Sequence, residues 1–541
     1  MIKTIEKYPL ASLSIAIISM LLLHLDIPNV TIMEARNFIT AREMIEDSNW
    51  LLTTMNGEPR YQKPPLPTWI TAISGLAFGV NSLFALRMPG ALMVLFLGIT
   101  TYLLSLKLNL SQKNSFINAL ILISSFYIIA IINEAPWDIY AHGFMMAGLY
   151  FIFLFFERQE GLWKNATLSA VFIGFSVMSK GPVSLFSLFL PFIISYGFIY
   201  KFKNFRSKAV PFILWIALSS FIGLWWFLYV RIVDSEAFVA IATKEAGNWS
   251  SYNVKPFYYY WSFFTQSGLW TIPAFISLIY PYLISRVADK KAYRFTFFWT
   301  LISLILLSII PEKKPRYLVP VLIPLALNTG FYIHYLIHNF SDLKSKKETF
   351  PVYFNFGLIA IIGISLPLIL YLILNDTLMN HLFYYLILST ISILIGVLIL
   401  KYLTCKKIDH VFYLAVIFMI SILTFGLPLS KNIGLQSNFN PLYELHDIEQ
   451  SNNIKTYAIG DISPELLWDY HGKIKNIYKN KQLELPLEDV FGLLLLNEDT
   501  HAILKELETN YSVKFEETFD MNVGSKRKER LIRQFYLVYK K

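Results

Sequence analysis

Long runs of apolar residues are the feature that most limits how this 541-residue chain can fold. A helix needs roughly 20 consecutive apolar residues to cross about 30 Å of hydrocarbon, and on that measure the runs predict about thirteen spans. The predicted spans centre near Ile17, Leu95, Ile123, Leu149, Phe172, Leu190, Leu218, Phe275, Leu304, Leu325, Ile362, Ile391 and Phe418. Most of the chain is therefore predicted to be an all-α polytopic membrane protein.

Composition supports this class and excludes others. Hydrophobic residues make up 55% of the chain and charged residues 16%, whereas soluble domains average about 45–50% and 25%. This composition argues against disorder, a coiled coil and an ordinary soluble enzyme. The single cysteine, Cys405, also excludes an internal disulfide and a zinc site built from several cysteines.

The formal net charge of +10 is compatible with nucleic acid, anionic lipid or a phosphorylated substrate. The chain after about residue 430 is close to neutral, so the surplus lies among the apolar runs, which argues against nucleic acid. Lys and Arg cluster in alternate loops, as the positive-inside rule describes. This pattern predicts a multi-pass protein of the inner (cytoplasmic) membrane, with the N-terminus inside and everything after Pro428 outside.

Two domains are predicted. Residues 1–428 form the transmembrane domain, which includes an outer juxtamembrane segment at 26–81. Residues 429–541 form a small extracytoplasmic α/β domain, because short apolar runs at 456–459, 490–496 and 535–538 alternate with amphipathic segments such as 502–508. No Gly-rich phosphate loop follows these runs, so no nucleotide site is predicted there.

The segment 26–81 breaks the orientation rule, because it lies outside and yet is rich in cations. These cations are Arg36, Arg42, Arg60 and Lys63. One helical face carries Ala35, Phe38, Ile39 and Ile45, which predicts an amphipathic helix lying in the membrane interface. Arg42 interrupts that face, and we favour snorkelling to lipid headgroups over pointing into a site.

A second exception is the short outer loop 311–317, which contains Lys313, Lys314 and Arg316. Phosphate is the natural partner of such a cluster, although binding of lipid headgroups remains an alternative. Lys180 is also predicted outside and on its own is interpreted as a snorkelling lysine.

The outer stretch 231–261 is interpreted as an ordinary solvated surface, because its positive and negative charges offset each other. Its charged residues are Arg231, Asp234, Glu236, Lys244, Glu245 and Lys255.

Carboxylates are few on the predicted outer surface, and each of Glu34, Glu134 and Asp138 could simply cap a helix. Taken jointly with the clustered cations, they suit glycosyl transfer from a lipid-linked phosphate. That reaction needs a base for the acceptor hydroxyl and cations for the leaving phosphate. His142 is predicted to be a buried polar helix residue, because no zinc-protease pattern accompanies it.

Several short motifs carry a family resemblance. They are Met33-Glu34-Ala35-Arg36, Tyr61-Gln62-Lys63-Pro64-Pro65-Leu66, Arg87-Met88-Pro89, Asp138, Ser179-Lys180-Gly181-Pro182 and Lys314-Pro315-Arg316-Tyr317. They resemble the GT-C class of membrane glycosyltransferases, which use polyprenyl-phosphate sugars. Within that class the chain is similar to the bacterial lipid A aminoarabinose transferases of the cell envelope and, more distantly, to protein O-mannosyltransferases.

The resemblance implies a GT-C fold and transfer of a sugar from a polyprenyl-phosphate donor to a hydroxyl of a lipid, glycan or protein at the outer membrane face. It implies Glu34 and Asp138 as catalytic residues, with Glu34 favoured as the base. The implied ligands of the donor phosphate are Arg36, Lys63, Lys180, Lys314, Arg316 and Tyr317. No metal site and no required cofactor are predicted, and use of a divalent cation is left open. Membrane lipids are the other expected partners.

Two departures from the family pattern affect the acids. The family's outer helix begins Asp-Glu and its Lys-Pro element follows an acid, but this chain has Met33 and Gln62 at those positions. Neither side chain can accept a proton as a base. The loss keeps a second hypothesis open, a non-catalytic lipid-phosphate binder or transporter built on the same scaffold.

Overall fold

The structure is a computed structural model that describes residues 2–203, 205–374, 381–431, 438–479, 482–496, 504–505, 507–524 and 526–541. Within these ranges the chain is mostly helical. The chain is a multi-span membrane protein with a small sheet near its C-terminus.

Eight helices in the described part of the chain are long and apolar enough to cross a membrane, each taken with the 3-10 or π turns that continue it. They are Leu83–Lys107, Pro136–Glu157, Phe205–Val233, Lys290–Ile309, Pro315–Asp342, Lys346–Leu374, Leu382–Thr404 and Ile408–Ser430. A bent pair, Gln112–Ile123 and Phe126–Glu134, makes a ninth if its two halves form one span with a 46° bend.

Helices also form at the remaining predicted span centres, but they are shorter or less apolar. They are Pro9–Leu22, Leu162–Lys180, Leu185–Ile199 and Thr271–Ser277. The predicted count of thirteen is therefore not confirmed. The other α-helices are Ile2–Lys7, Ile32–Glu46, Leu66–Phe78, Ser235–Ser251, Tyr280–Leu283, Leu445–Asn452 and Pro464–Tyr470.

The outer segment begins with the helix Ile32–Glu46, which Thr31 starts through a capping box with Glu34. A hairpin of Thr54–Met55 and Glu58–Pro59 follows. Its turn uses Asn56 and Gly57, both at positive φ, the conformation a tight hairpin turn requires. The carboxylate of Glu43 holds this hairpin against the helix by accepting from Thr54 Oγ1 at 2.6 Å and the Asn56 amide at 2.6 Å.

The apolar face of helix Ile32–Glu46 packs on protein, which differs from the predicted location in the membrane interface. Ala35, Phe38 and Ile39 join a hydrophobic cluster with side chains of helix Pro464–Tyr470. The rings of Phe38 and Trp468 lie 5.3 Å apart, edge to face. A face of this periodicity can be covered by lipid or by protein, and sequence pattern does not distinguish the two.

The interpretation of Arg42 as a snorkelling residue is wrong. Its side chain is 2% exposed, lies over the Trp468 ring and donates to the Leu467 carbonyl at 3.3 Å. Asn56 adds two hydrogen bonds of 2.8 Å to the backbone of Ile474. Arg42 interrupts an apolar face because that face binds the chain's own C-terminal region, which offers a backbone carbonyl and an aromatic ring.

The C-terminal region forms the predicted α/β structure. Its five-stranded sheet has the order Lys475–Asn476, Thr456–Ala458, Val490–Leu495, Ile532–Lys540 and Tyr511–Asp520. The first three strands are parallel and the last two pairings are antiparallel, with Leu493 opposite Tyr536. Tyr478–Lys479 and Gln482–Leu483 form a separate small hairpin. The predicted segment 502–508 lies partly outside the described residues, and the boundary at 428/429 stays a prediction.

Candidate active site

A buried ion pair between Asp138 and Lys180 forms the centre of the candidate site. Asp138 lies in the first turn of helix Pro136–Glu157 and is 2% exposed. Its Oδ1 is 2.5 Å from Nζ of Lys180, the last residue of helix Leu162–Lys180. Its Oδ2 is buried and has no hydrogen-bond partner among the described residues. The pair therefore leaves one carboxylate oxygen able to accept a further donor or a proton.

The loop 311–317 lies beside this pair, as the sequence predicts for a common site. The Tyr317 ring lies 5.1 Å from Lys180 Nζ, 5.6 Å from Lys314 Nζ and 5.8 Å from the Arg316 guanidinium. Because the face of an aromatic ring attracts cations, Tyr317 holds three of them around one point. The sequence-predicted residues Lys180, Lys314, Arg316 and Tyr317 are thus brought together.

Glu312 belongs to this group and was missed by sequence reasoning. Its carboxylate lies 2.5 Å from Lys314 Nζ and accepts a 3.2 Å hydrogen bond from the Tyr317 hydroxyl. Tyr260 fixes the same loop, because its hydroxyl donates to the Lys314 carbonyl at 3.0 Å and accepts from the Lys314 amide at 2.9 Å. One signal was available, since Glu312 is the only acid inside the cationic loop 311–317.

Lys63 and Arg36 bring the outer segment to the same place. Burial first, and then the charges of Lys180 and Arg60, lower the pKa of Lys63 to about 8 against the opposing effect of Glu245 and Asp138. Burial also lowers the pKa of Arg36, which lies within electrostatic reach of Arg316. Both side chains are half-buried. Within the described ranges neither has a carboxylate at salt-bridge distance, so both cations remain available to an anionic ligand.

Arg60 is a further cation of the site, which the sequence indicated only as one of the cations of segment 26–81. Its Nη1 donates to the Arg36 carbonyl at 2.7 Å and to Thr40 Oγ1 at 2.9 Å. The guanidinium lies 5.2 Å from the centre of the Trp137 ring, next to Asp138. Arg60 therefore connects the outer helix that carries Arg36 to the membrane helix that carries Asp138.

Glu34 lies in a different environment from the other predicted site residues. It is fully buried, and Oε1 accepts from Arg87 Nε at 2.7 Å. Oε2 accepts from Arg87 Nη2 at 3.1 Å and from the Thr31 amide at 3.0 Å. Arg87 also donates to the carbonyls of Leu25 and Pro28. Both carboxylate oxygens are thus engaged, which supports the helix-capping alternative for Glu34 over the role of a base.

The remaining sequence hypotheses have clear locations. His142 is buried and its Nδ1 lies 2.9 Å from Ser184 Oγ, so its prediction as a buried polar helix residue is confirmed. Glu134 accepts a 2.6 Å hydrogen bond from the Tyr127 hydroxyl. Met33 lies against Arg36, with Sδ 3.9 Å from Nη1.

Across the part of the chain that the structure describes, no three His, Cys, Asp or Glu side chains are grouped as a metal site would require.

Comparison with known proteins supports the family resemblance. A family described as dolichyl-phosphate-mannose-protein mannosyltransferase matches residues 62–227. An undecaprenyl phosphate-alpha-4-amino-4-deoxy-L-arabinose arabinosyl transferase of Shewanella sediminis is 24% identical over 318 residues, covering 54% of each chain. The chain thus spans about half the length of this relative. A protein of the same name from Wigglesworthia glossinidia brevipalpis is 24% identical over 493 residues, covering 87% of this chain and 84% of its own.

Among solved structures, the chain is similar to ArnT from Cupriavidus metallidurans bound to undecaprenyl phosphate. The TM-score is 0.67 at 14% sequence identity, with 97% of this chain and 96% of that chain covered. At this identity the likeness establishes the fold. The predicted resemblance to the GT-C class is confirmed, and the mixed helical and α/β architecture is that of the ArnT structure.

Proposed function

We propose that this protein is a membrane glycosyltransferase that moves a sugar from a polyprenyl-phosphate donor to an acceptor hydroxyl on a lipid, glycan or protein at the outer membrane face. One observation carries the proposal: a ring of five cations beside the buried carboxylate of Asp138. The cation ring consists of Arg36, Arg60, Lys63, Lys180 and Arg316. Each neighbouring pair along it is close enough for the two charges to repel each other.

Repelling, half-buried cations are costly unless an anion joins them, so the cation ring favours binding of a strongly anionic group. A lipid phosphate supplies that charge, and its oxygens can accept from a guanidinium fork and from lysine ammonium groups together. Lys314 lies beside Lys180 and Arg316 and extends the phosphate site at the Tyr317 ring. These contacts support the predicted set of donor phosphate ligands.

The same groups suit the chemistry of transfer. When the bond between sugar C1 and the phosphate oxygen breaks, negative charge accumulates on the leaving phosphate. Cations already in place stabilise that charge more in the transition state than in the bound donor, which lowers the barrier. The side chains of the cation ring therefore act on the leaving group.

Asp138 is the predicted carboxylate that we retain for the reaction. Its ion pair fixes Lys180 at the phosphate, and its second oxygen can accept a hydrogen bond from a hydroxyl of the donor sugar. Glu34 is a poorer candidate, because a base needs a free lone pair directed at its substrate and both Glu34 oxygens are engaged. The relatives named as arabinosyl transferases and the undecaprenyl phosphate in the similar structure agree with a polyprenyl-phosphate donor.

The test uses the purified full-length protein in lipid nanodiscs. The lipid extract of a source strain lacking the gene supplies the accumulated donor and the unmodified acceptor. We expect time-dependent release of free polyprenyl phosphate, measured by mass spectrometry, and loss of release on replacing Asp138 by Asn. Tight binding of polyprenyl phosphate with no release under any acceptor condition would favour the non-catalytic binder instead.

We also propose that the N-terminus lies inside the inner membrane and that the C-terminal sheet region lies outside. Cys405 is exposed and follows the inner end of helix Leu382–Thr404 in this topology. A membrane-impermeant thiol reagent is therefore expected to leave Cys405 unlabelled in sealed right-side-out vesicles and to label it after lysis. Labelling before lysis would reject this orientation.

A further inference from the structure

A helical strap, defined as residues 234–254, follows the apolar helix Phe205–Val233 and is attached at both ends to loops of the candidate site. At its start, Asp234 accepts a 2.8 Å hydrogen bond from the hydroxyl of Tyr61, two residues before Lys63. At its end, Val254 pairs with Glu312 in an antiparallel bridge. The backbone amide of Lys313 also donates to the Asn253 carbonyl at 3.1 Å. The strap therefore extends from the loop of Lys63 to the loop of Arg316.

The strap helix, Ser235–Ser251, turns one face inward. Its half-buried positions recur every three or four residues, and they are Ala237, Phe238, Ile241, Glu245 and Asn248. Ala237, Phe238 and Ile241 pack against a cluster that contains Tyr61 and Trp226. Glu245 lies one turn beyond Ile241 and so continues the same face. The neighbouring Lys244 is exposed, so the earlier interpretation of this stretch as a solvated surface holds for Lys244 and is wrong for Glu245.

From this half-buried position on the inward face, Glu245 lies within electrostatic reach of three members of the cation ring. Its charge opposes the lowering of the pKa by burial at Arg36, Arg60 and Lys63. No hydrogen bond or salt bridge engages the Glu245 carboxylate within the described ranges. It is thus an inward-facing acid whose oxygens remain available, in contrast to Glu34.

Glu245 is also within electrostatic reach of the cations beside Met33 and Gln62, the two positions where the family pattern has an acid. Met33 contacts Arg36, and Gln62 directly precedes Lys63. Both of these cations are neighbours of Glu245. The strap can therefore place the Glu245 carboxylate in the region where Met33 and Gln62 have replaced the family's acids.

We infer that Glu245 is the base that receives the proton of the acceptor hydroxyl. This inference rests on the proposed function. Asp138 is bound to Lys180, which places it on the side of the leaving phosphate. A displacement at sugar C1 needs the acceptor to attack from the opposite side, and Glu245 lies on the strap, a different element from the helices that carry Asp138 and Lys180. Asp138 thus acts on the side of the leaving group, and Glu245 acts on the acceptor hydroxyl.

The step balances as a single displacement. The acceptor O–H proton passes to the Glu245 carboxylate while the acceptor oxygen forms a bond to sugar C1. The bond between C1 and the phosphate oxygen breaks, and its electron pair leaves with the polyprenyl phosphate. The cation ring stabilises the negative charge of this leaving group. Glu245 then returns the proton to water.

The first test compares Glu245→Gln with the matched control Lys244→Gln in the nanodisc release assay. We expect Glu245→Gln to lower turnover by about a hundredfold or more, the range for removal of a general base. Lys244→Gln should stay within about twofold of the wild-type protein, because that side chain is exposed on the strap. Undecaprenyl phosphate serves as the binding probe. Its affinity should be unchanged or higher in Glu245→Gln, because a negative charge facing the phosphate site is removed.

A second variant separates a chemical role from a structural one. Restoring the family's acid with Gln62→Glu in the Glu245→Gln background should recover turnover at least tenfold, which a merely structural strap residue would not permit. The inference is overturned if Glu245→Gln keeps more than a third of wild-type turnover, if it loses undecaprenyl phosphate binding in proportion, or if Gln62→Glu restores nothing. If the wild-type protein itself releases no polyprenyl phosphate, the proposed function fails and this role fails with it.

Discussion

Two buried carboxylate–cation pairs among the described residues, Glu34–Arg87 and Asp138–Lys180, differ in what they leave unpaired. In the Glu34–Arg87 pair, both carboxylate oxygens accept hydrogen bonds, and the guanidinium also binds two backbone carbonyls. In the Asp138–Lys180 pair, one carboxylate oxygen has no partner among the described residues, and further cations lie within electrostatic reach.

This difference distinguishes a pair that stabilises the fold from a pair that can bind a ligand. A buried pair whose hydrogen-bonding groups are all satisfied stabilises the fold and has nothing left to offer a ligand. A pair with a free oxygen and excess positive charge nearby is costly on its own, and a bound anion with a hydroxyl group would remove that cost. The sequence motif contains both acids, so only their surroundings distinguish them.

The largest expected effect is on stability at Glu34. Replacing Glu34 by Gln leaves the buried Arg87 without its charge partner, which typically costs about 3–5 kcal/mol. The free energy of unfolding in detergent should fall by that order, while the protein that remains folded keeps most of its turnover. Glu46→Gln is the control, because Glu46 is exposed at the end of the same helix. If Glu34→Gln kept normal stability and lost most of its turnover, Glu34 would act in the reaction, and the distinction between a structural Glu34–Arg87 pair and a reactive Asp138–Lys180 pair would be wrong.

The next effect is on turnover at Asp138. Asp138→Asn frees Lys180 from its ion pair and misplaces a cation of the phosphate site. We expect the turnover number to fall by roughly a hundredfold, within the range that loss of an acid or base group produces. The Michaelis constant for the donor should change less. Wild-type turnover in this variant would place the reaction away from the Asp138–Lys180 pair.

A smaller effect is expected on donor binding at Arg316. A hydrogen bond to a charged group contributes about 1.5–3 kcal/mol, so Arg316→Ala should weaken binding of undecaprenyl phosphate by roughly ten- to a hundredfold. Arg316→Lys should recover only part, because a lysine lacks the bidentate fork. Lys255→Ala is a suitable control for charge beside the same loop, since Lys255 is exposed and its amide donates to the Pro311 carbonyl. Equal affinities for all these variants would assign the loop 311–317 to lipid headgroups.

The smallest effect concerns pH. Burial and the Lys180 charge lower the pKa of Lys63 to about 8. The ammonium is therefore present below that pH and lost above it, so affinity for undecaprenyl phosphate should fall between pH 7 and pH 9, by roughly tenfold for one lost contact. Lys63→Arg keeps its charge throughout this range and should abolish most of the fall. The same pH dependence in both proteins would exclude Lys63 as a phosphate ligand.

Particular residues define how far sequence reasoning reached. The charge of the loop 311–317 broke the orientation rule and predicted a phosphate site at Lys314 and Arg316, and the family resemblance added Lys180 and Tyr317. The four residues do lie together. Glu245 was interpreted as part of a solvated surface, because alternating charge in a polar stretch resembles one. Its inward orientation depends on the anchoring of the strap at Tyr61 and Glu312, far away along the chain.

The sequence by itself determined the membrane class of this protein, the helical outer segment, the α/β character of the C-terminal region and the cationic motifs. These features depend on composition and on short-range periodicity, which are properties of neighbouring residues. Only the tertiary structure decided that the outer helix packs on the C-terminal region, that Glu34 is fully engaged by Arg87, and that Glu245 lies on the inward face of the strap. Burial and the satisfaction of hydrogen bonds are set by partners distant in sequence, and no local pattern contains them.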